Sequence, residues 1–303
     1  MIKFLTLCYA FLAMGTTITT APHDVAYLFA HGLRSNQTQY RLYTRLEKPP
    51  FDTFYKTNEP YIIQEPVVSF NFPDSCEYYQ ATRTSFAQDD EIDALAHAYL
   101  DALHVGKKIV LFGLSRGAAA IVNFAGRFHP DAACALVLES PPDCMKNLIA
   151  THVKRLHLRY IPHFLIETVP SLMFGKYDKA GLAPIDMIDK INKDMPIILI
   201  CSLEDSAVFP ENTIHLYLKL LEAQFTCAHL LLLNKGGHAQ LLWGPQGFTY
   251  QIVVHAFYKH YGLPHDEILA QEGEQIFKQT QPTKELVEQA LAVQKSFIKE
   301  LGL

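Results

Sequence analysis

The sequence lacks the residue patterns that hold metal ions. It contains six cysteines and 14 histidines, but no C-x-x-C pair and no H-E-x-x-H motif. The three histidines with the most regular spacing lie five residues apart, which turns a helix by about 140° and places consecutive rings on different faces. We therefore expect no metal site. These histidines are His255, His260 and His265.

An excess of positive charge is also missing. The chain has 26 Lys and Arg against 31 Asp and Glu, a net charge of −5, and no long basic run interleaved with aromatic residues. A nucleic-acid partner is therefore not expected. Proline (17) and glycine (15) are few and 49% of residues are hydrophobic, which indicates a folded globular chain. No apolar run reaches the length of about 20 residues that a membrane-spanning helix needs.

The N-terminus has the pattern of a secretory signal. Met1-Ile2-Lys3 carries one positive side chain, and an uncharged, mostly apolar run follows from Phe4 to Met14. We predict a signal peptide over residues 1–21 and export to the periplasm or the extracellular space. The alternative is a buried N-terminal strand or helix in a cytoplasmic protein.

Cysteine pairing stays open at this point. If Cys8 leaves with the signal, five cysteines remain, so a monomer keeps at least one free thiol. In an oxidising compartment, a link from Cys76 to Cys134 or Cys144 is compatible with the sequence.

Short apolar runs alternate with helix-period segments after residue 22. Runs of this kind, bounded by polar, Gly or Pro residues, are typical of strands buried on both faces. We predict one α/β domain over residues 22–303, with a mostly parallel sheet of about six strands and helices on both faces. The predicted strands are Val25–Ala30, Val67–Phe72, Lys108–Gly113, Ala135–Leu138, Ile197–Cys201 and Leu230–Leu233.

Two helical segments bear on the architecture. The first, from Glu91 to Leu103, places Ile92, Leu95, Tyr99, Leu100 and Leu103 on one apolar face. The second is a Pro-broken, apolar stretch at about 143–194, which we interpret as a helical cap inserted over the loop end of the sheet. The alternative is a helical excursion packed on the side of the sheet.

A G-x-S-x-G motif lies between a predicted strand and a predicted helix. Gly113, Ser115 and Gly117 follow an apolar run and precede Ala118-Ala119-Ala120. A serine on a sharp strand-to-helix turn needs small neighbours two positions before and after it, and the turn holds its hydroxyl out of the sheet. Ser115 is therefore the candidate nucleophile.

A base and an acid follow Ser115 in a compatible order. Asp205 comes just after the predicted strand at 197–201, and His238 comes after the strand at 230–233. All three residues are thereby predicted at one edge of a parallel sheet, where open α/β sheets place their sites. Glu139, at the end of an earlier strand, is the alternative acid.

With these residues in place, the sequence resembles the α/β-hydrolase superfamily over about residues 25–262. The resemblance implies Ser115 as nucleophile, His238 as general base and acid, and Asp205 as the carboxylate that orients the imidazole. Since His31-Gly32-Leu33 matches the family's His-Gly loop, it implies the Leu33 and Arg116 amides as the oxyanion hole, with His31 packing in its loop. The Arg116 side chain could face solvent or touch substrate. We expect the family's first two strands to be missing, because only about two dozen residues precede Val25 and they have the signal pattern.

The function implied is that of a serine hydrolase without a cofactor. We expect it to cleave a carboxylic ester of a small-molecule acyl substrate through an acyl-enzyme, because an apolar cap suits an acyl chain. A peptidase, thioesterase or acyltransferase on the same three residues, or a catalytically silent binding protein with this fold, are the alternatives.

Overall fold

The apolar runs form a single sheet of six parallel strands. The computed structural model describes residues 23–44, 60–73, 75, 89–149 and 182–300, with side chains as far as residue 292. The strand order is β2-β1-β3-β4-β5-β6, and every neighbouring pair is parallel. The strands are β1 (His23–Ala30), β2 (Val67–Ser69), β3 (Gly106–Leu114), β4 (Ala133–Glu139), β5 (Ile197–Ser202) and β6 (Ala228–Leu233).

Helices cover both faces of this sheet. Apolar residues of α1, α2, α3, α4 and α7 form the core on one face, and residues of α5 and α6 form the core on the other. Residues of β3 alternate between the two cores: Leu111 belongs to the first, and Val110 and Phe112 belong to the second. The helices are α1 (Asp89–Val105), α2 (Arg116–Phe128), α3 (Pro184–Met187), α4 (Pro210–Glu222), α5 (Gly247–His260), α6 (Glu267–Phe277) and α7 (Lys284–Glu300).

The central strands are apolar throughout because both of their faces are covered. All the carboxyl ends of the parallel strands lie at one edge, so the segments that follow β1, β3, β4, β5 and β6 meet there. The predicted fold class, including the six-stranded sheet with helices on both faces, is confirmed.

The buried face of α1 differs from the predicted one. Leu100 and Leu103 are 56% and 38% exposed, whereas Ala98 and Ala102 are buried with Ile92, Leu95 and Tyr99. The helix is rotated so that the two alanines face the sheet. Small side chains allow the helix axis to approach the strands closely, and the periodicity of large apolar residues does not register this effect.

Several predicted features fall outside the described residues. The predicted signal peptide does so entirely, and the predicted cap is described only at residues 143–149 and 182–194. In these end segments, Met145 packs on Ala119, and Met187 and Ile191 join the core beside α2. Cys134 and Cys144 are free thiols, and Cys76 is not among the described residues. Within the described part of the chain, no helix is long and apolar enough to cross a membrane.

Candidate active site

Ser115 lies on the sharp turn between β3 and α2. Its backbone has φ 52° and ψ −113°, a conformation that residues other than glycine adopt at a cost of about 1–3 kcal/mol. A hydrogen bond anchors the turn: the Ser115 amide donates to the Glu139 carbonyl oxygen at the end of β4, with N and O 2.8 Å apart. The serine is 6% exposed. The turn has the strained geometry that a nucleophile elbow requires.

The two glycines that flank Ser115 are needed for close packing. A Cβ atom on Gly117 would lie 2.0 Å from the carbonyl oxygen of Ala30 in β1, and one on Gly113 would lie 2.6 Å from the Cα of Ala118. Backbone atoms cannot tolerate such approaches, so only glycine lets α2 pack directly against β1 and β3. The motif spacing seen in the sequence is therefore a packing requirement of this turn.

Asp205 follows β5 and is fully buried. Its Oδ1 accepts hydrogen bonds from the amides of Ala207 and Val208, both at 2.9 Å. Its Oδ2 accepts from Ser140 Oγ at 2.8 Å and faces His238 Nδ1 at 2.8 Å. Four donors thus hold the carboxylate in one orientation without exposure to water.

His238 follows β6 on a loop whose shape depends on Gly236. Gly236 has φ 135°, which favours glycine, and its amide donates to Glu204 Oε2 at 3.2 Å. Because a carboxylate only accepts, the hydrogen bond to Asp205 places the proton of a neutral His238 ring on Nδ1. The other nitrogen, Nε2, is then left as an acceptor for a proton, and the side chain is 23% exposed.

Glu139, the last residue of β4, and Ser140, which follows it, connect the elbow to the Asp205–His238 pair. The carbonyl of Glu139 accepts from the Ser115 amide, and the hydroxyl of Ser140 donates to Asp205. Ser115, Asp205 and His238 therefore lie at the same sheet edge, after β3, β5 and β6. Among the described residues, no hydrogen bond joins the Ser115 hydroxyl to the His238 ring. Catalytic hydrogen bonds of unliganded enzymes often form only when substrate is bound.

Glu139, the alternative acid, is buried beside this pair. Its Oε2 accepts from the Tyr250 hydroxyl at 2.9 Å. Burial raises the pKa of Glu139 to about 7, although hydrogen bonds from Tyr250 and Tyr43 and the nearby His238 lower it. Asp205, rather than Glu139, holds the histidine ring in the structure.

The predicted oxyanion loop lies next to the elbow. Gly32 lies against Leu114, and its amide donates to Gln39 Oε1 at 2.9 Å. The Leu33 side chain packs with Ala119 and Met145. Within the described part of the chain, no hydrogen bond uses the Leu33 amide.

The Arg116 side chain does not face solvent, which was one of the two positions considered from the sequence. It is 1% exposed. Its guanidinium lies 3.6 Å from Glu91 of α1, donates to Ser75 Oγ at 3.1 Å and stacks over the Phe72 ring at 4.4 Å. An ion pair and a cation–π contact therefore anchor the start of α2 inside the protein.

Sequence reasoning missed several supporting residues. Ser140, Ser75, Glu91 and Glu204 each bind a site residue or its loop, but single polar residues of this kind carry no local signal. Only for Ser140 could the sequence have suggested a role, because it follows a strand adjacent to the strand that precedes Asp205. Over the residues that the structure describes, no group of three or more His, Cys, Asp or Glu side chains could hold a metal ion.

Comparisons with known proteins find relatives in structure but not in sequence. No protein-family model matches the chain, and no curated protein matches it. The chain is similar to the esterase Pf2001 of Pyrococcus furiosus, with a TM-score of 0.53 and 19% identity over 79% of this chain and 82% of the esterase. It is also similar to the acylaminoacyl peptidase of Pyrococcus horikoshii, with a TM-score of 0.56 and 15% identity over 82% of this chain and 39% of the peptidase. At these identities, the likeness establishes the shared fold.

Proposed function

Since the chain has the α/β-hydrolase fold, we propose that it is a serine hydrolase that cleaves a carboxylic ester through an acyl-enzyme on Ser115. The hydrogen bond between His238 Nδ1 and Asp205 Oδ2 carries this proposal. A histidine oriented by a buried carboxylate, at the same sheet edge as a serine on a strained turn, has the arrangement of a nucleophile and its base. The hydrolases of similar fold support it.

The proposed reaction uses two atoms of this arrangement, the hydroxyl oxygen of Ser115 and Nε2 of His238. Ser115 Oγ attacks the ester carbonyl carbon while His238 Nε2 takes the hydroxyl proton. The tetrahedral intermediate then collapses, the bond to the alcohol breaks, and the alcohol leaves with the proton from His238. Water repeats the sequence on the acyl-enzyme and releases the carboxylic acid. The Asp205 carboxylate stabilises the imidazolium that forms twice in each cycle.

In this proposal, the Leu33 and Arg116 amides stabilise the negative charge that develops on the carbonyl oxygen. The Arg116 amide belongs to the first turn of α2, where N–H groups lack partners within the helix and the dipole favours negative charge. In other hydrolases, removal of one such donor lowers kcat by about 10²–10³-fold.

Apolar residues near the elbow favour an ester with an acyl chain. Ala119 and Met145 form a small buried cluster, and Leu33, Leu148 and Ile149 pack against it while staying partly exposed. Ala119 lies in the first turns of α2, so this cluster is close in the chain to Ser115. An acyl chain attached to Ser115 would gain about 0.8 kcal/mol for each methylene it buries there.

Labelling with a fluorophosphonate probe tests the nucleophile and the base together. We expect the wild-type protein to be labelled at Ser115, and the Ser115→Ala and His238→Ala variants to lose labelling. Ser69→Ala and His97→Ala, which change a serine of β2 and an exposed histidine of α1, should label like the wild type. Absence of labelling in folded wild-type protein would instead favour a binding protein.

A substrate series separates the acyl-transfer alternatives. p-Nitrophenyl esters of increasing chain length should be hydrolysed, with kcat/KM rising while the acyl chain still contacts the cluster around Ala119. Peptide amides and acyl thioesters, assayed at the same enzyme concentration, are the comparison. Cleavage of peptide amides without any ester hydrolysis would refute the ester assignment and favour a peptidase.

We also propose that the protein is exported. This rests on the positive Met1–Lys3 followed by the apolar run to Met14. N-terminal sequencing of the protein purified from its source should start near residue 22. Recovery of the full chain from the cytoplasm with Met1 retained would contradict export.

A further inference from the structure

A chain of side-chain hydrogen bonds runs from the Arg116 guanidinium to the Gly32–Leu33 peptide group, which carries one of the two amides assigned to the oxyanion hole. Arg116 Nη2 lies 3.1 Å from Ser75 Oγ. Ser75 Oγ lies 3.2 Å from His31 Nε2, and His31 Nδ1 lies 2.8 Å from the Gly32 carbonyl oxygen. These contacts run from the residue after the nucleophile to the loop after β1.

The donors and acceptors in this chain fix its direction. The Phe72 amide donates to His31 Nε2 at 3.3 Å, so Nε2 is an acceptor and the ring proton lies on Nδ1, which donates to the Gly32 carbonyl. A guanidinium only donates, so Ser75 Oγ accepts from Arg116 and its own proton is directed to His31 Nε2. The guanidinium therefore donates, the Ser75 hydroxyl accepts and donates, and His31 Nε2 accepts from both Ser75 and the Phe72 amide.

The planarity of the peptide bond gives the last contact its consequence. The Gly32 carbonyl and the Leu33 amide belong to the same peptide group, and in a trans peptide the C=O and the N–H point in opposite directions. A hydrogen bond that holds the Gly32 oxygen therefore also sets the direction of the Leu33 N–H.

Burial makes the arrangement rigid. His31 is fully buried, and its ring packs edge-on against Phe72 at 4.9 Å. At the other end, the buried ion pair with Glu91 and the Phe72 ring hold the Arg116 guanidinium. Hydrogen bonds inside a protein are electrostatically stronger than in water, and an unpaired group there is costly.

We propose that His31 and Ser75, anchored by the Arg116 side chain, are positioning residues that aim the Leu33 amide at the oxyanion formed during acyl transfer. This rests on the proposed function. None of these three side chains needs to touch the substrate, and each acts through the Leu33 peptide group.

The kinetic test removes the hydroxyl of Ser75, the middle residue of the hydrogen-bonded chain. Ser75→Ala should lower kcat for a p-nitrophenyl ester about tenfold and leave KM within about twofold, because the amide is misaligned for the oxyanion rather than for the ground state. A trifluoromethyl ketone, which forms an oxyanion on the serine, should bind about tenfold more weakly. Ser75→Thr keeps the hydroxyl and should retain most of the activity, and Ser69→Ala is the matched control. An increase in KM with kcat unchanged, or no change in kcat at all, would overturn the proposal.

A second measurement does not depend on activity. In ¹⁵N-histidine-labelled wild-type protein, correlation spectra should show a neutral His31 ring with its proton on Nδ1, assigned by the signals that His31→Gln removes. A ring protonated on Nε2 would overturn the hydrogen-bond direction, whatever the kinetics show. Failure of wild-type protein to react with a fluorophosphonate would overturn the proposed function and the oxyanion role with it, while the tautomer would still report on the hydrogen-bonded chain.

Discussion

The substitution Glu139→Gln isolates the charge of one buried carboxyl at the base of the site. Glu139 is fully buried, and its Oε2 accepts from the Tyr250 hydroxyl. Glutamine has the same shape and its amide oxygen can accept the same hydrogen bond, so the variant removes ionisation with little change in packing. The ionised form is disfavoured in the folded state because burial raises the pKa of Glu139 from 4.5 to about 7.

The sign of the effect follows from proton binding in the two states. Between pH 4.5 and pH 7 the unfolded chain has lost this proton while the folded protein retains it, so the unfolded state binds fewer protons and the free energy of unfolding falls as pH rises. The contribution of the raised pKa is fully present below the unfolded value and is lost as pH rises through 7. A shift of about 2.5 units at 1.36 kcal/mol each corresponds to a loss of about 3 kcal/mol.

Urea unfolding at pH 4.5 and at pH 8 measures this difference. Between these two pH values, Glu139→Gln should gain about 3 kcal/mol of stability relative to the wild type, with unchanged m-values. Glu222→Gln, at an exposed position in α4, is the matched control and should show no such gain. If the stability difference between Glu139→Gln and the wild type is the same at both pH values, the carboxyl is not a proton-binding group of the folded state and the reasoning fails.

Three further predictions concern strain, packing and a buried histidine. The Ser115→Gly variant should be more stable than Ser115→Ala by about 1 kcal/mol in urea unfolding, because φ is 52° at this position. This order is the reverse of that in ordinary helices, and a more stable Ser115→Ala variant would contradict the strain. Gly117→Ala should abolish labelling and lower the melting temperature, since its Cβ would lie 2.0 Å from Ala30 O, whereas Gly237→Ala, whose Cβ would meet only Gln240 at 3.5 Å, should do neither. Burial lowers the pKa of His229 to about 4, so the wild type should gain about 3 kcal/mol of stability relative to a His229→Gln variant between pH 4 and pH 6.5, and an equal change in both proteins would contradict this.

The features that were predictable are those that short stretches of chain encode. Each central strand is a continuous apolar run because both faces of the sheet are covered, and the run is visible without knowledge of its neighbours. The elbow is visible for a similar reason: the clashes that require Gly113 and Gly117 arise within a few residues of Ser115 and with the adjacent strand. The order of Ser115, Asp205 and His238 along parallel strands then placed them at one edge.

The structure decided what depends on contacts between distant segments. Whether Asp205 or Glu139 holds His238 is a matter of which carboxylate the loops after β5 and β6 bring within hydrogen-bond distance. The rotation of α1 that exposes Leu100 depends on how closely two alanines let the helix approach the sheet. The Arg116 side chain points to Glu91 and Ser75, which lie 25 and 41 residues away in the sequence. Hydrophobic patterns record which residues avoid water, but a single hydrogen bond between remote polar groups leaves no periodic trace, so these pairings emerge only when the chain is folded.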